Sequence, residues 1–139
     1  MSPSELIARE FERLVGLGRE RIAFCSGVEQ TIYFVVLTRC EIDMAGFSSV
    51  YEQALDAEEL RIMIAGLRAI GEGETAEDFS SGLALLEREG FYDGRNWTRL
   101  SAPTKAAIEE LGQRIGARLW ALDEKLAALV TRPRAEPIG

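Results

Sequence analysis

No histidine occurs among the 139 residues of this chain. That absence removes the side chain that most often acts as a general base near neutral pH, the imidazole ligand of metal sites, and the Glu-x-x-His pairs of di-iron helix bundles. Cysteine is nearly as scarce. Cys25 and Cys40 stand alone, in no Cys-x-x-Cys or clustered spacing, so neither a disulfide framework nor a structural zinc site is indicated, and both are expected as buried, reduced thiols. The longest apolar run, "TIYFVVL" at Thr31 to Leu37, falls far short of the roughly 20 residues a membrane helix needs, and "MSPSELIARE" has no basic-then-apolar leader pattern. A cytoplasmic protein with no membrane partner is the expectation. The phosphate-cradling patterns Gly-x-x-x-x-Gly-Lys-Ser/Thr and Gly-x-Gly-x-x-Gly are missing, and no serine has a base near it in sequence. Catalytic residues, metal ligands and cofactors are therefore assigned to none, and an enzyme is not expected.

What is present suits one globular domain. Apolar residues make up 47% of the chain and charged residues 28%, proportions that support a core and argue against global disorder. Segment after segment opens with Ser, Thr or Asp followed three residues later by an acid, the pattern in which each side chain satisfies the other's free backbone N–H at a helix start. Ser2/Glu5, Ser26/Glu29, Ser49/Glu52, Asp56/Glu59 and Thr75/Asp78 all fit, Ser101 is a further cap, and Pro3 and Pro103 fall in first turns. Gly18, Gly71 and Gly90 fall where helices should stop. Leu60, Met63, Ile64, Leu67 and Ile70 mark one face of a helix from about Ala57 to Ile70, and Phe79, Leu83 and Leu86 mark the next.

From Ile108 through Leu111, Ile115, Leu119, Leu122 and Leu126 to Leu129, apolar residues recur at steps of three and four, a seam about 30 Å long if the helix is continuous. It suits core packing or a homodimer contact. "TIYFVVL" fits a buried strand or a helix apolar on every side; the box at Ser26 and Glu29 and the lack of a second strand favour helix. The result is an all-α, single-domain helical bundle of five to six helices with a long C-terminal helix, spanning residues 1–131, with the Pro-containing tail 132–139 expected to be disordered. "GFYDGRNWTRLS" from Gly90 to Ser101 reads as a loop whose aromatics fold back onto the core. Gly112 and Gly116, inside the last helix, point to close backbone packing.

The stretch "CEIDMAGFSSVYEQAL" from Cys40 to Leu55 reads as a corner. Gly46 lets the backbone turn, Phe47 buries its ring, and Ser49 with Glu52 restarts the helix. Glu41 and Asp43 cannot share a helix face at a spacing of two, so a catalytic dyad is disfavoured, and a carboxylate before the break is expected to reach forward to the next helix start. An enzyme or small-ligand protein with a pocket under this corner, lined by Tyr51, Phe79 and Trp97, is an alternative.

Charge is unevenly placed. Between Cys40 and Glu87, eleven acids face Arg61 and Arg68 alone, an excess of nine negative charges, while the whole chain carries -7. Such a region repels nucleic acid and attracts a basic partner. Glu41, Asp43, Glu52, Asp56, Glu58, Glu59, Glu72 and Glu74 are the candidate partner-binding residues.

"EIDMAGFSSVYE" at Glu41 to Glu52, "GLRAIG" at Gly66 to Gly71 and "TAEDFSSGLALL" at Thr75 to Leu86 together resemble a family of helical bacterial domains that includes a DNA-mimic protein. The resemblance covers roughly residues 26 to 86. It implies a non-catalytic protein-binding module, DNA-mimic-like, whose partner is a basic protein surface such as that of a DNA-binding protein. Met44-Ala45-Gly46-Phe47 replaces the family's usual Asn-Gly-Gly-Phe, keeping a glycine and the aromatic but losing the amide.

Overall fold

Local capping chemistry sets where the chain becomes helical. In the computed structural model, which describes residues 1–131, Ser2 accepts the Glu5 backbone N–H and opens α1 (Pro3–Leu17), with Pro3 in its first turn. Gly18, at φ +91°, ends α1 and leads to the single turn α2 (Arg19–Ile22). A complete capping box between Ser26 and Glu29 starts α3 (Gly27–Ala45), and a second between Asp56 and Glu59 starts α4 (Ala57–Ala69). "TIYFVVL" is therefore helical. Thr31 to Val35 are all buried, consistent with a helix that crosses beneath several others.

Helix α4 ends in two crossed bonds: the Gly71 N–H donates to the Arg68 carbonyl and the Glu72 N–H to the Leu67 carbonyl, with Gly71 at φ +82°. This Schellman closure turns the chain into α5 (Gly73–Arg88). Thr75 does not cap that helix. It lies inside the first turn with its hydroxyl buried and without a partner among the described residues, because the chain becomes helical at Gly73 and leaves Thr75 on the core side.

The Gly90 to Ser101 connection holds two short 3-10 turns, Phe91–Asp93 and Trp97–Arg99. Its aromatics fold inward as the sequence suggests, with Phe91 edge-on to both Tyr92 and Trp97 at 5.0 and 5.6 Å between ring centres. Glu89 bridges this loop. Its carboxylate accepts the Ser101 N–H at 2.8 Å and the hydroxyls of Ser101 and Thr104, so a residue ending α5 caps the start of α6 (Ala102–Trp120).

The expected single long C-terminal helix is two. Helix α6 stops at Trp120, and α7 (Asp123–Thr131) follows after a turn at Ala121 and Leu122. The break has a visible cause. Arg39 of α3 donates two hydrogen bonds to the Leu119 carbonyl, at 3.0 and 2.7 Å, and a third to Asp123 at 2.6 Å, so the carbonyl that α-helical continuation would use is held by a guanidinium. The apolar seam passes through the turn unbroken: Ile108, Leu111, Ile115, Leu119, Leu122 and Leu126 are all buried in the chain's own core.

The described residues thus form an all-helical bundle, with seven α-helices rather than five or six because α2 and the α6/α7 break add elements. Helix α4 packs between α3 and α5, α5 on α6, and α7 returns to cover α1. The tail at 132–139 lies outside the described residues. Of the two thiols, Cys25 is half-buried and Cys40 is exposed, so the expectation of buried thiols fails for Cys40, which sits on the outer face of α3.

Candidate functional site

Helix α3 ends in Glu41-Ile42-Asp43-Met44-Ala45 and turns at Gly46, whose φ of +92° is reached without strain only by glycine. Phe47 then lays its ring against Tyr51 and Phe79, with ring centres 5.7 and 5.9 Å away. The same ring presses on the α6 backbone: a β-carbon added at Gly112 would lie 2.7 Å from it. Gly46 and Phe47 form the turn between the two helices, but the Phe47 ring is half-buried rather than enclosed as expected.

The restart differs from a capping box. Ser49 is not bonded to the Glu52 backbone; its hydroxyl donates instead to Glu41 at 2.6 Å, while Ser48 donates to Glu52 at 3.0 Å. The segment that follows, Val50–Ala54, is a π-helical turn closed by the Leu55 N–H on the Val50 carbonyl. Widening the turn by one residue carries Val50, Tyr51, Ala54 and Leu55 into the core together. Tyr51 is fully enclosed and donates its phenol to the Phe79 carbonyl at 3.1 Å; burial raises that phenol's pKa well above its ordinary value. Glu41 reaches forward across the corner, as expected, but to a side-chain hydroxyl rather than a backbone N–H.

The eight candidate acids do not share one condition. Glu41 and Glu52 are held by serines, and Asp56 caps α4. Glu59 combines its cap role with a bidentate pair to Arg19 at 2.8 and 2.9 Å. Glu72 accepts from Lys125 at 2.5 Å, and Glu74 lies 3.5 Å from Arg118. Asp43 and Glu58 alone of the eight are exposed and have no hydrogen bond or ion pair among the described residues. Outside the eight, Asp78 meets Arg114 and Arg118, Glu77 meets Arg68, and Glu87 meets Arg61. Arg19, Arg114, Arg118 and Lys125 are distant in sequence from the acidic stretch, and folding brings all four onto it. Sequence reasoning missed them because the charge of one segment says nothing about which bases fold over it.

Two concavities flank these elements. The first, about 460 Å³, opens between the Phe47 corner and α6 and is lined by Phe47, Trp97, Lys105, Glu109 and Gln113. Tyr51 and Phe79, expected to line it, are fully buried beneath Phe47 instead. The second is an apolar groove of about 580 Å³, walled by Val28 and Thr31 of α3, Ile62, Ala65 and Ala69 of α4, and Leu129 of α7. Its floor is Gly66, where a β-carbon would come within 2.1 Å of the Thr31 hydroxyl oxygen. Phe24, in the turn after α2, is 91% exposed, a feature no helical periodicity announces.

Among the described residues no group of three or more Cys, Asp or Glu side chains is placed to hold a metal ion, and no helix is long and apolar enough to cross a membrane. The fold defines a small all-helical domain. No family model, curated protein or solved structure matches this chain.

Proposed function

We propose that this chain is a non-catalytic protein-binding module whose exposed acids engage a basic surface on another protein. One observation carries the reading. Helix α3 ends with no basic residue in its last turn, which leaves the negative pole of its dipole without a cation from its own helix, and at that pole Asp43 is exposed and has no ion pair among the described residues, beside Met44, which is 83% exposed. A carboxylate, a helix C-terminus and a flexible thioether together suit a partner offering Lys or Arg next to an apolar contact. The resemblance of Glu41–Glu52 to a DNA-mimic-containing family directs the search toward DNA-binding proteins. A phosphate-like row needs several carboxylates free at once, so the DNA-mimic form of the reading rests on Asp43 and Glu58, since Glu59, Glu72 and Glu74 are ion-paired within the chain.

The test is capture from a cell extract by immobilised wild-type protein and by Asp43→Lys across a salt series, both confirmed folded by circular dichroism. A partner bound by the wild type, released as salt rises and weakened by Asp43→Lys is the expected result. Equal capture by the two proteins at every salt concentration overturns the reading.

A second reading, small-ligand binding, is favoured by the cleft at Phe47 and Trp97, where Lys105 and Glu109 bring opposite charges to an aromatic wall. A ligand seated there would perturb Trp97 fluorescence, and Lys105→Ala would weaken that response.

A further inference from the structure

The turn between α6 and α7 is not written in the residues that make it. Helices α1, α3, α4 and α5 are each followed within two residues by a glycine at positive φ: Gly18, Gly46, Gly71 and Gly90. Helix α6 is followed by none. From Ala117 to Thr131 the chain holds neither Gly nor Pro, and Ala121, Leu122, Glu124 and Lys125 at the break are all residues that favour helix. The apolar steps also continue through it, from Leu119 to Leu122, Leu126 and Leu129. What interrupts the helix comes from outside. The Arg39 guanidinium holds the Leu119 carbonyl, which in a continuous helix would accept the Asp123 N–H, and it holds the Asp123 carboxylate too.

Local preference and tertiary contact therefore oppose each other at one point, and a segment so placed has two arrangements open to it. In the bent one, α7 packs chiefly on α1, and Lys125 reaches Glu72. In the straight one, Ala102 to Thr131 is a single helix about 45 Å long at 1.5 Å per residue, which directs α7 away from its own α1. Leu126 and Ala127, buried in the bent chain, then lose their surroundings. The surface that fits α7 is already defined, since it is the one α7 occupies in this chain. A second straightened copy presents the same surface and the same unattached helix, so exchange restores both sets of contacts without a new interface.

We propose that the α6/α7 junction is a hinge latched by Arg39, and that with the latch released two copies exchange α7, each α7 packing on the other's α1. The Lys125–Glu72 pair then forms between chains. The exchange is independent of the Asp43 corner. It also differs from two last-helix seams packed side by side, since Ile108, Leu111, Ile115 and Leu119 stay in their own core.

Refolding the full chain from urea at low and at high protein concentration, followed by sedimentation velocity, tests it. A dimer fraction that grows with refolding concentration is expected, with the association constant raised about tenfold or more by Arg39→Met. Arg39→Lys, which keeps a cation for Asp123 but not the fork on the carbonyl, should act in the same direction and serves if the Met variant does not fold. Adding Ala121→Gly, a change at an exposed position that disfavours the continuous helix, should reduce the dimer again. Spin labels at the exposed positions Ala106 and Ala128, introduced as Ala106→Cys and Ala128→Cys with Cys25→Ser and Cys40→Ser and diluted with unlabelled chain, read the shape. The dimer should give about 33 Å, the span of a straight helix between these positions, and the monomer a shorter distance. No dimer in wild type or Arg39→Met, a dimer no more abundant in the Arg39 variants than in wild type, or a dimer that keeps the monomer's label distance overturns the proposal.

Discussion

Gly112 and Gly116 sit one turn apart in α6, and a propensity scale treats them alike. Each Gly→Ala change should add about 1 kcal/mol of helix stability by propensity alone. Their surroundings decide otherwise for one of them. A β-carbon at Gly116 meets nothing within 4 Å, whereas at Gly112 it meets Phe47 Cγ at 2.7 Å and Phe47 Cβ at 2.8 Å. Because the Cβ itself is too close, rotating the ring gives no relief, and overpacking of this kind costs about 1–3 kcal/mol. Urea unfolding should therefore show Gly116→Ala more stable than wild type and Gly112→Ala less stable. The expectation of close packing at both glycines is met only at Gly112, since sequence shows that a side chain is missing but not what stands opposite.

Glu29 gives a pH-dependent counterpart. The hydrogen bond from Arg13 lowers its pKa below the ordinary 4.5, aided by the Ser26 backbone and hydroxyl. A lowered folded-state value means that the unfolded chain takes up this proton first, so the contribution is complete above the ordinary value and is lost as pH falls through it toward the folded one. Stability measured by urea at descending pH should fall over that window, and Glu29→Gln should flatten the fall.

At the scale of elements, local and distant causes separate cleanly. The caps at Ser2, Ser26, Asp56 and Ser101 were legible because both partners lie within three residues. The Ser49/Glu52 and Thr75/Asp78 patterns have the same spacing yet cap nothing. At the first, the corner commits Ser49 to Glu41; at the second, helix α5 has already begun. The α6/α7 break was not legible at all, since Arg39 stands 80 residues from the carbonyl it holds. Arg39 is mostly buried, with 11% of its side chain exposed, and hydrogen bonds to charged groups contribute about 1.5–3 kcal/mol. Replacing it by Met keeps much of the apolar stem but frees the Leu119 carbonyl and Asp123. Arg39→Met should lower unfolding stability by about that amount, and helicity by circular dichroism should stay nearly constant, because the turn at Ala121 and Leu122 can become helical.

For the whole molecule, the all-helical class and a single core were readable from cap spacing and apolar periodicity, and the surface was not. A linear charge count makes the middle of the chain an acidic block. Folding lays Arg19, Arg114, Arg118 and Lys125 across it, and among the described residues it leaves Asp43 and Glu58 as the exposed members of the candidate set without a partner. The candidate site therefore contracts from a region to two positions on different helices.

Helix α7 packs on α1, whose Ile7 and Leu14 are 2% and 0% exposed. It is only nine residues long, and holding it there closes a loop through nearly the whole described chain, the largest closure entropy in the fold. If α7 lifts away, α1 loses the cover over its apolar face, so the two should open as one cooperative unit although they lie at opposite ends of the described chain. Native-state hydrogen exchange checks this: amides of α1 and α7 should share one opening free energy, below that of α4 and α5, and respond in parallel to Leu126→Ala. Resistance to excursions from the native state would then be set by a unit joined in space and split in sequence.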